Sequence, residues 1–151
     1  MDLAKFCTQN KATCANIRQL WRQMLESVSI VHAERIVHGD LKPANFLLVN
    51  GQVKLIDFGI ACGIESGTTN IHRDSPMGTI SYMAPETLTY NPSAAGHKTS
   101  RAADIWALGI ILYQLVYSHT PYDNVKRKKI QTVFDERAKC ISFYVCVKRI
   151  S

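Results

Sequence analysis

The stretch His38-Gly-Asp-Leu-Lys-Pro-Ala-Asn-Phe-Leu-Leu-Val-Asn-Gly-Gln-Val-Lys-Leu-Ile-Asp-Phe-Gly59 sets two short apolar runs, Phe46–Val49 and Val53–Ile56, on either side of Asn50-Gly51. Asn-Gly is the dipeptide that best tolerates the positive φ angles of a two-residue hairpin turn, so the two runs are expected to pair as antiparallel strands. A hairpin brings its outer ends together. Asp40 and Asn45 lie just before the first strand and Asp57 just after the second, so all three converge on one small volume. Two carboxylates and a carboxamide form a hard-oxygen site suited to Mg²⁺, which takes one or two protein carboxylates and fills its shell with phosphate and water. Lys42 adds a positive point charge within reach. The set suits phosphoryl transfer, which needs positioning and charge neutralisation more than covalent chemistry.

Upstream, Ile17, Leu20, Trp21, Met24, Leu25, Val28 and Val31 recur at helical spacing, with Arg18, Gln19, Arg22, Gln23 and Glu26 between them. That pattern predicts one long amphipathic helix leading into the stretch above. Downstream, the Gly-, Ser-, Thr- and Pro-rich segment from Gly59 to His97 is expected to be mostly loop. Asp104 to Tyr117 is apolar on nearly every side, which requires a helix inside a core rather than on its surface. The fold class expected is mainly α with a small β-hairpin (α+β).

Three motifs in order, His38-x-Asp-Leu-Lys-Pro-x-Asn45, Asp57-Phe-Gly59 and Ala84-Pro-Glu86, resemble the signature set of eukaryotic protein kinases. By that resemblance Asp40 orients the substrate hydroxyl and accepts its proton, and Lys42 neutralises the transferring phosphoryl group. Asn45 and Asp57 hold magnesium, and Leu47 packs under the adenine of ATP. His38 and Phe58 join an apolar column between lobes. Thr68, Thr69, Ser75, Thr79 and Glu86 fall in the activation segment, with Thr79 at the acceptor site. An aspartate at a helix start is by itself a capping residue; the resemblance instead makes Asp104 the anchor of the catalytic loop.

Ile36–Leu47, Lys54–Ala61, Gly78–Glu86 and the long connection from Glu86 to Asp104 are similar to the monopolar spindle checkpoint (TTK-type) dual-specificity kinases. The likeness runs from about Asp2 to Phe143. It implies an ATP- and Mg²⁺-dependent Ser/Thr or dual-specificity kinase acting on protein substrates in mitosis. It also implies kinetochore proteins as partners and a place in the cytoplasm or nucleus.

The chain departs from the family pattern in two places. Gly39 stands where many kinases have arginine, so the segment that arginine normally steadies has to be held by other contacts. No two glycines are spaced G-x-G and no V-A-I-K strand precedes His38, so residues 1–151 are expected to form the C-lobe without the N-lobe. The final helices are expected to be missing or divergent from about residue 124. The alternative is a truncated pseudokinase or interaction fragment without turnover.

The bulk composition, 46% hydrophobic and 20% charged, is that of an ordinary globular domain. The net charge of +6 is not gathered into an aromatic-interleaved stripe, and the run Lys126–Lys129 reads as a solvated face; no nucleic-acid partner is expected. Five cysteines without C-x-x-C spacing argue for reduced thiols over a disulfide framework or zinc site. Neither a signal peptide nor a membrane span is expected, since the longest apolar run, Ile105–Val116, is too short to cross a bilayer.

Overall fold

The computed structural model describes residues 3–8, 13–65, 68–75, 77–92 and 96–121. The basic run at Lys126–Lys129, Cys140, Cys146 and the divergent stretch from about residue 124 lie outside the described residues. Helix α1 (Leu3–Thr8) is followed by the long helix α2 (Cys14–Ala33). The Thr13 side chain caps α2 by accepting from the Asn16 backbone N–H at 3.2 Å, one of the donors a helix start leaves without an internal partner. Most of the expected stripe forms: Ile17, Leu20, Met24 and Val28 are buried and Trp21 and Val31 half-buried, but Leu25 is exposed.

Two-residue strand β1 (Ile36–Val37) leads into the loop that carries Asp40, and a 3₁₀ turn at Pro43–Asn45 ends it. Strands β2 (Phe46–Val49) and β3 (Gln52–Leu55) form the expected hairpin, paired Phe46↔Leu55 through Val49↔Gln52. The second strand begins and ends one residue earlier than its apolar run, because the two-residue turn leaves only Asn50 and Gly51 unpaired. Both adopt positive φ, +51° and +78°, the geometry whose twist matches paired strands.

Beyond the hairpin, β4 (Cys62–Gly63) pairs antiparallel with β1. Strand β5 (Asn70–Arg73), the short helix α3 (Pro85–Leu88), β6 (Tyr90–Asn91) and β7 (Gly96–Ser100) follow. Most of the described residues from Gly59 to His97 lie outside strands and α-helices, as expected, but the expectation lacked the three-stranded antiparallel sheet that β5, β7 and β6 form with β7 in the middle. Its polar residues show no alternating apolar pattern, and the pairing partners are far apart in sequence, Asn70 opposite Ser100 for example. A local periodicity cannot reveal such a sheet.

Helix α4 (Arg101–Tyr117) runs through the centre. Ala107, Leu108, Ile111, Leu112 and Leu115 join Leu20, Met24, Val28, Leu41, Phe46 and Val53 in one core. Each fully buried large side chain of this kind contributes about 1.5–3 kcal/mol. The structure is therefore a mixture of helices and small antiparallel sheets, with α2 packed against both the hairpin strand β3 and the central helix α4. Gln23, on the polar side of the α2 pattern, is drawn across to the hairpin: its amide accepts from Val53 N–H at 2.7 Å and donates to the Gly51 carbonyl at 3.3 Å. No described helix is long and apolar enough to cross a membrane.

Candidate active site

Asp40 sits at the centre of a clamp. Its Oδ2 accepts from Lys42 Nζ at 2.7 Å, and its Oδ1 accepts from the Thr79 backbone N–H at 2.7 Å and the Thr79 hydroxyl at 2.8 Å. Lys42 Nζ also donates to Thr79 Oγ1 at 3.2 Å. The chain around Gly78 makes this possible: its φ is +120°, and a Cβ there would lie 2.9 Å from the Gly39 carbonyl oxygen. A larger residue would push Thr79 away from the carboxylate. Burial by itself would push the Asp40 carboxyl up, but the bonds from Lys42 and Thr79 outweigh it and hold the group below the usual carboxylate range. Asp40 is therefore ionised throughout the neutral range. The stabilisation from the clamp is complete above the unfolded carboxylate value of about 4 and is lost as pH falls through the lower folded value.

Asn45 closes the 3₁₀ turn and is buried, and its backbone carbonyl accepts from Ile56 N–H at 2.8 Å. That bond extends the hairpin ladder by one step and brings Asp57, the next residue, beside Asn45. Asp57 lies in the left-handed region at φ +62°, a conformation aspartate tolerates better than most residues. Its Oδ1 accepts from Gly59 N–H at 3.1 Å. Asn45 Oδ1 is buried without a hydrogen-bond partner. An orphaned buried amide oxygen beside an exposed carboxylate is a donor pair that a hard divalent cation would satisfy. Among the described residues no cluster of three or more His, Cys, Asp or Glu exists, so such a cation would draw its remaining ligands from elsewhere, as magnesium with phosphate does.

The loop is held from below. Asp104, in the first turn of α4, is 1% exposed. Its carboxylate accepts from the backbone N–H groups of His38 and Gly39, each at 2.9 Å, and pairs with His32 Nε2 at 2.8 Å. It is thus an anchor and not a helix cap, since α4 starts three residues earlier, at Arg101, with Ser100 in the cap position. Removing this acceptor strands two backbone donors, each bond to a charged group being worth roughly 1.5–3 kcal/mol. Asp104→Ala is therefore expected to lose about 3 kcal/mol or more in urea unfolding. A loss below about 1 kcal/mol would show that the loop does not depend on it. The His38 and Phe58 rings lie 5.3 Å apart, tilted at 48°, and join this loop to the Asp57 turn. Leu47 is half-buried on the face of the hairpin opposite Phe46 and Leu48.

The other expected residues are dispersed. Exposed Thr68 and Thr69 line a separate cavity of ≈ 350 Å³ with Arg35, Lys98, Ser100 and Arg101. Ser75 is exposed, and Glu86 is half-buried in α3 with no ion pair among the described residues. Sequence reading missed His32, although it stands one turn beyond Val28 on the apolar stripe, where a histidine needs a buried partner. It also missed Gln23 and Arg35, for which the local pattern carries no signal.

The model of the protein kinase domain matches residues 1–148. Serine/threonine-protein kinase mph1 of Schizosaccharomyces pombe is 53% identical over 133 residues, which are 83% of this chain and 20% of the relative. Serine/threonine-protein kinase MPS1 of Encephalitozoon cuniculi is 48% identical over 130 residues, 84% of this chain and 22% of the relative. Dual specificity protein kinase Ttk of Danio rerio is 48% identical over 119 residues, 76% of this chain and 12% of the relative. The chain thus spans about a fifth or less of the length of these relatives. With the family match running nearly end to end and the clamp around Asp40 at its centre, this chain belongs to the protein kinase domain family.

Proposed function

We propose that this chain is the C-lobe of a protein Ser/Thr kinase, with dual specificity in view of the relatives' names, and that it supplies the floor of an ATP- and Mg²⁺-dependent active site. The observation that carries the reading is the Asp40 carboxylate held between Lys42 Nζ and Thr79. A carboxylate kept ionised and immobile beside a lysine can orient a substrate hydroxyl and take its proton late, as the bond to phosphorus forms. Lys42 offsets charge on the transferring group, and Leu47 offers an apolar surface for the base. The free oxygen of Asn45 and the carboxylate of Asp57 would hold magnesium, which when bound neutralises charge on the phosphates. Thr79, already bonded to Asp40, lies where a protein hydroxyl would enter. Action in mitosis, kinetochore partners and a cytoplasmic or nuclear location rest on the resemblance to the TTK type.

The test is phosphoamino-acid analysis after incubating the full-length protein with Mg-ATP and peptides bearing Ser, Thr and Tyr. Phosphoserine and phosphothreonine are expected, with a smaller tyrosine signal. Phosphorylation confined to small molecules would sink the reading.

Regulation by phosphate on Thr68 or Thr69 belongs to the same reading. Its support is the cavity these threonines share with Arg35, Lys98 and Arg101, since a phosphate carries close to two negative charges and makes one to three charge-assisted bonds in about this setting. Arg73, a further cation of the segment, is not part of that cavity. Phosphorylated protein is expected to exchange the backbone amides of residues 68–71 more slowly, and Lys98→Glu together with Arg101→Glu to erase the protection. Equal exchange in the phosphorylated and unphosphorylated forms would count against it.

A further inference from the structure

Gly39 leaves an empty place on the catalytic loop, and the structure shows what fills it. A Cβ built on Gly39 would lie 3.9 Å from Arg73 Nη2, with Ile60 and Thr99 also close, each at 3.7 Å. The Arg73 guanidinium comes from β5, 34 residues further along the chain, and its two ends are tied to different segments. Nη2 donates to the Ile60 carbonyl, three residues past Asp57, and Nη1 donates to Met77 Sδ at 3.1 Å, two residues before Thr79. The backbone of Arg73 is itself fixed by pairing with His97 in β7. Its Nε is buried without a hydrogen-bond partner, and no ion pair to Arg73 occurs among the described residues.

We propose that Arg73 is a positioning residue for phosphoryl transfer, a strut standing where an arginine after His38 would otherwise stand. It rests on the kinase reading above. The strut joins two segments on which the active site depends. On one side it fixes the chain leaving the Asp57 turn, through Ile60. On the other it fixes Met77, and through Gly78 the Thr79 that holds Asp40. A loop arginine steadies this region by pairing with a phosphate added later; Arg73 makes its bonds to a carbonyl and a thioether, which are present without modification. The strut therefore works whether or not Thr68 and Thr69 are phosphorylated. A planar guanidinium can span two acceptors at once, whereas an ammonium is a single point and reaches one.

The experiment uses the full-length kinase with Arg73→Met, which keeps an apolar stem, and Arg73→Lys, which keeps the charge. Both are also made in a Thr68→Ala, Thr69→Ala background. Active-site titration normalises the rates to folded protein, and amide exchange is followed at Gly78 and Thr79. Arg73→Met is expected to lower kcat by about tenfold while KM for ATP changes less than about twofold, since the displaced groups act on the acceptor side. Arg73→Lys is expected to fall between Met and wild type. Gly78 and Thr79 are expected to exchange faster in the Met variant, and the fold-loss to be the same with and without the two threonines.

Wild-type kcat in Arg73→Met, or a loss that vanishes once the threonines are gone, overturns the strut; the second outcome would make Arg73 a phosphate partner. Should Arg73→Met not fold, wild-type rate and exchange in Arg73→Lys overturn it equally. If the wild-type protein transfers no phosphate, the kinase reading fails separately. Amide exchange at Gly78 and Thr79 then still decides whether Arg73 holds the segment.

Discussion

Asp40→Ala in the full-length kinase is expected to lower kcat by about 10²–10⁴, the range a positioned proton acceptor contributes, with Mg-ATP affinity nearly unchanged. The geometry predicts this split. Asp40 spends its oxygens on Lys42 and Thr79, the residues that the proposed function sets against an incoming protein hydroxyl. Because those bonds keep its carboxyl below the usual range, Asp40 is too weak a base to take a proton from an unreacted hydroxyl. It fits an acceptor that positions the hydroxyl and receives the proton only as the hydroxyl becomes acidic in the transition state. The acid limb of the rate profile that reports this group is accordingly expected below about pH 4, where the unfolded carboxylate would titrate. Asp40→Asn keeps the shape but cannot accept, so it is expected to lose nearly as much rate as Ala. Retained turnover in Asn would show that orientation alone suffices. A parallel loss of ATP affinity would move Asp40 into the metal site.

The opposite split is expected at Asp57. Asp57→Ala should abolish the magnesium-dependent part of nucleotide binding, measured by calorimetry with ATP in the presence and absence of Mg²⁺. The reason lies in the donor set. Asn45 offers one neutral oxygen, already buried and unpartnered, while Asp57 offers the negative charge at the end of the hairpin. Without that charge the amide cannot compete with water for a strongly hydrated cation. Asn45→Ala is expected to weaken the same binding less, because it removes a neutral ligand. Magnesium-dependent binding that is equal in wild type and Asp57→Ala would remove Asp57 from the site. The two variants together separate the proton-accepting role proposed for Asp40 from the metal-binding role proposed for Asp57.

These sites depend on parts of the chain that were legible in different degrees. Amino-acid sequence by itself determined the hairpin, because Asn50-Gly51 carries the two positive φ angles that the turn needs. It determined the long helix and the buried helix as well, since Ile17, Leu20, Met24 and Val28 keep a helical period and Asp104–Tyr117 has no polar side. From the hairpin it followed that the chain at Asn45 and the chain leading into Asp57 would pair, as the Ile56 N–H bond to the Asn45 carbonyl shows. Those features are written in bond geometry and short-range periodicity, which a single sequence displays.

Only the tertiary structure decided which groups complete them. Thr79 clamps Asp40 across 39 residues, and Asp104 gathers the His38 and Gly39 amides from 66 and 65 residues away. The β5-β7-β6 sheet, the Arg35 side of the threonine cavity and the Arg73 strut likewise join segments remote in the chain. Each is a polar contact satisfied by whichever donor or acceptor the packed core brings near. A polar side chain announces that it needs a partner, but its identity in the sequence does not say where that partner lies.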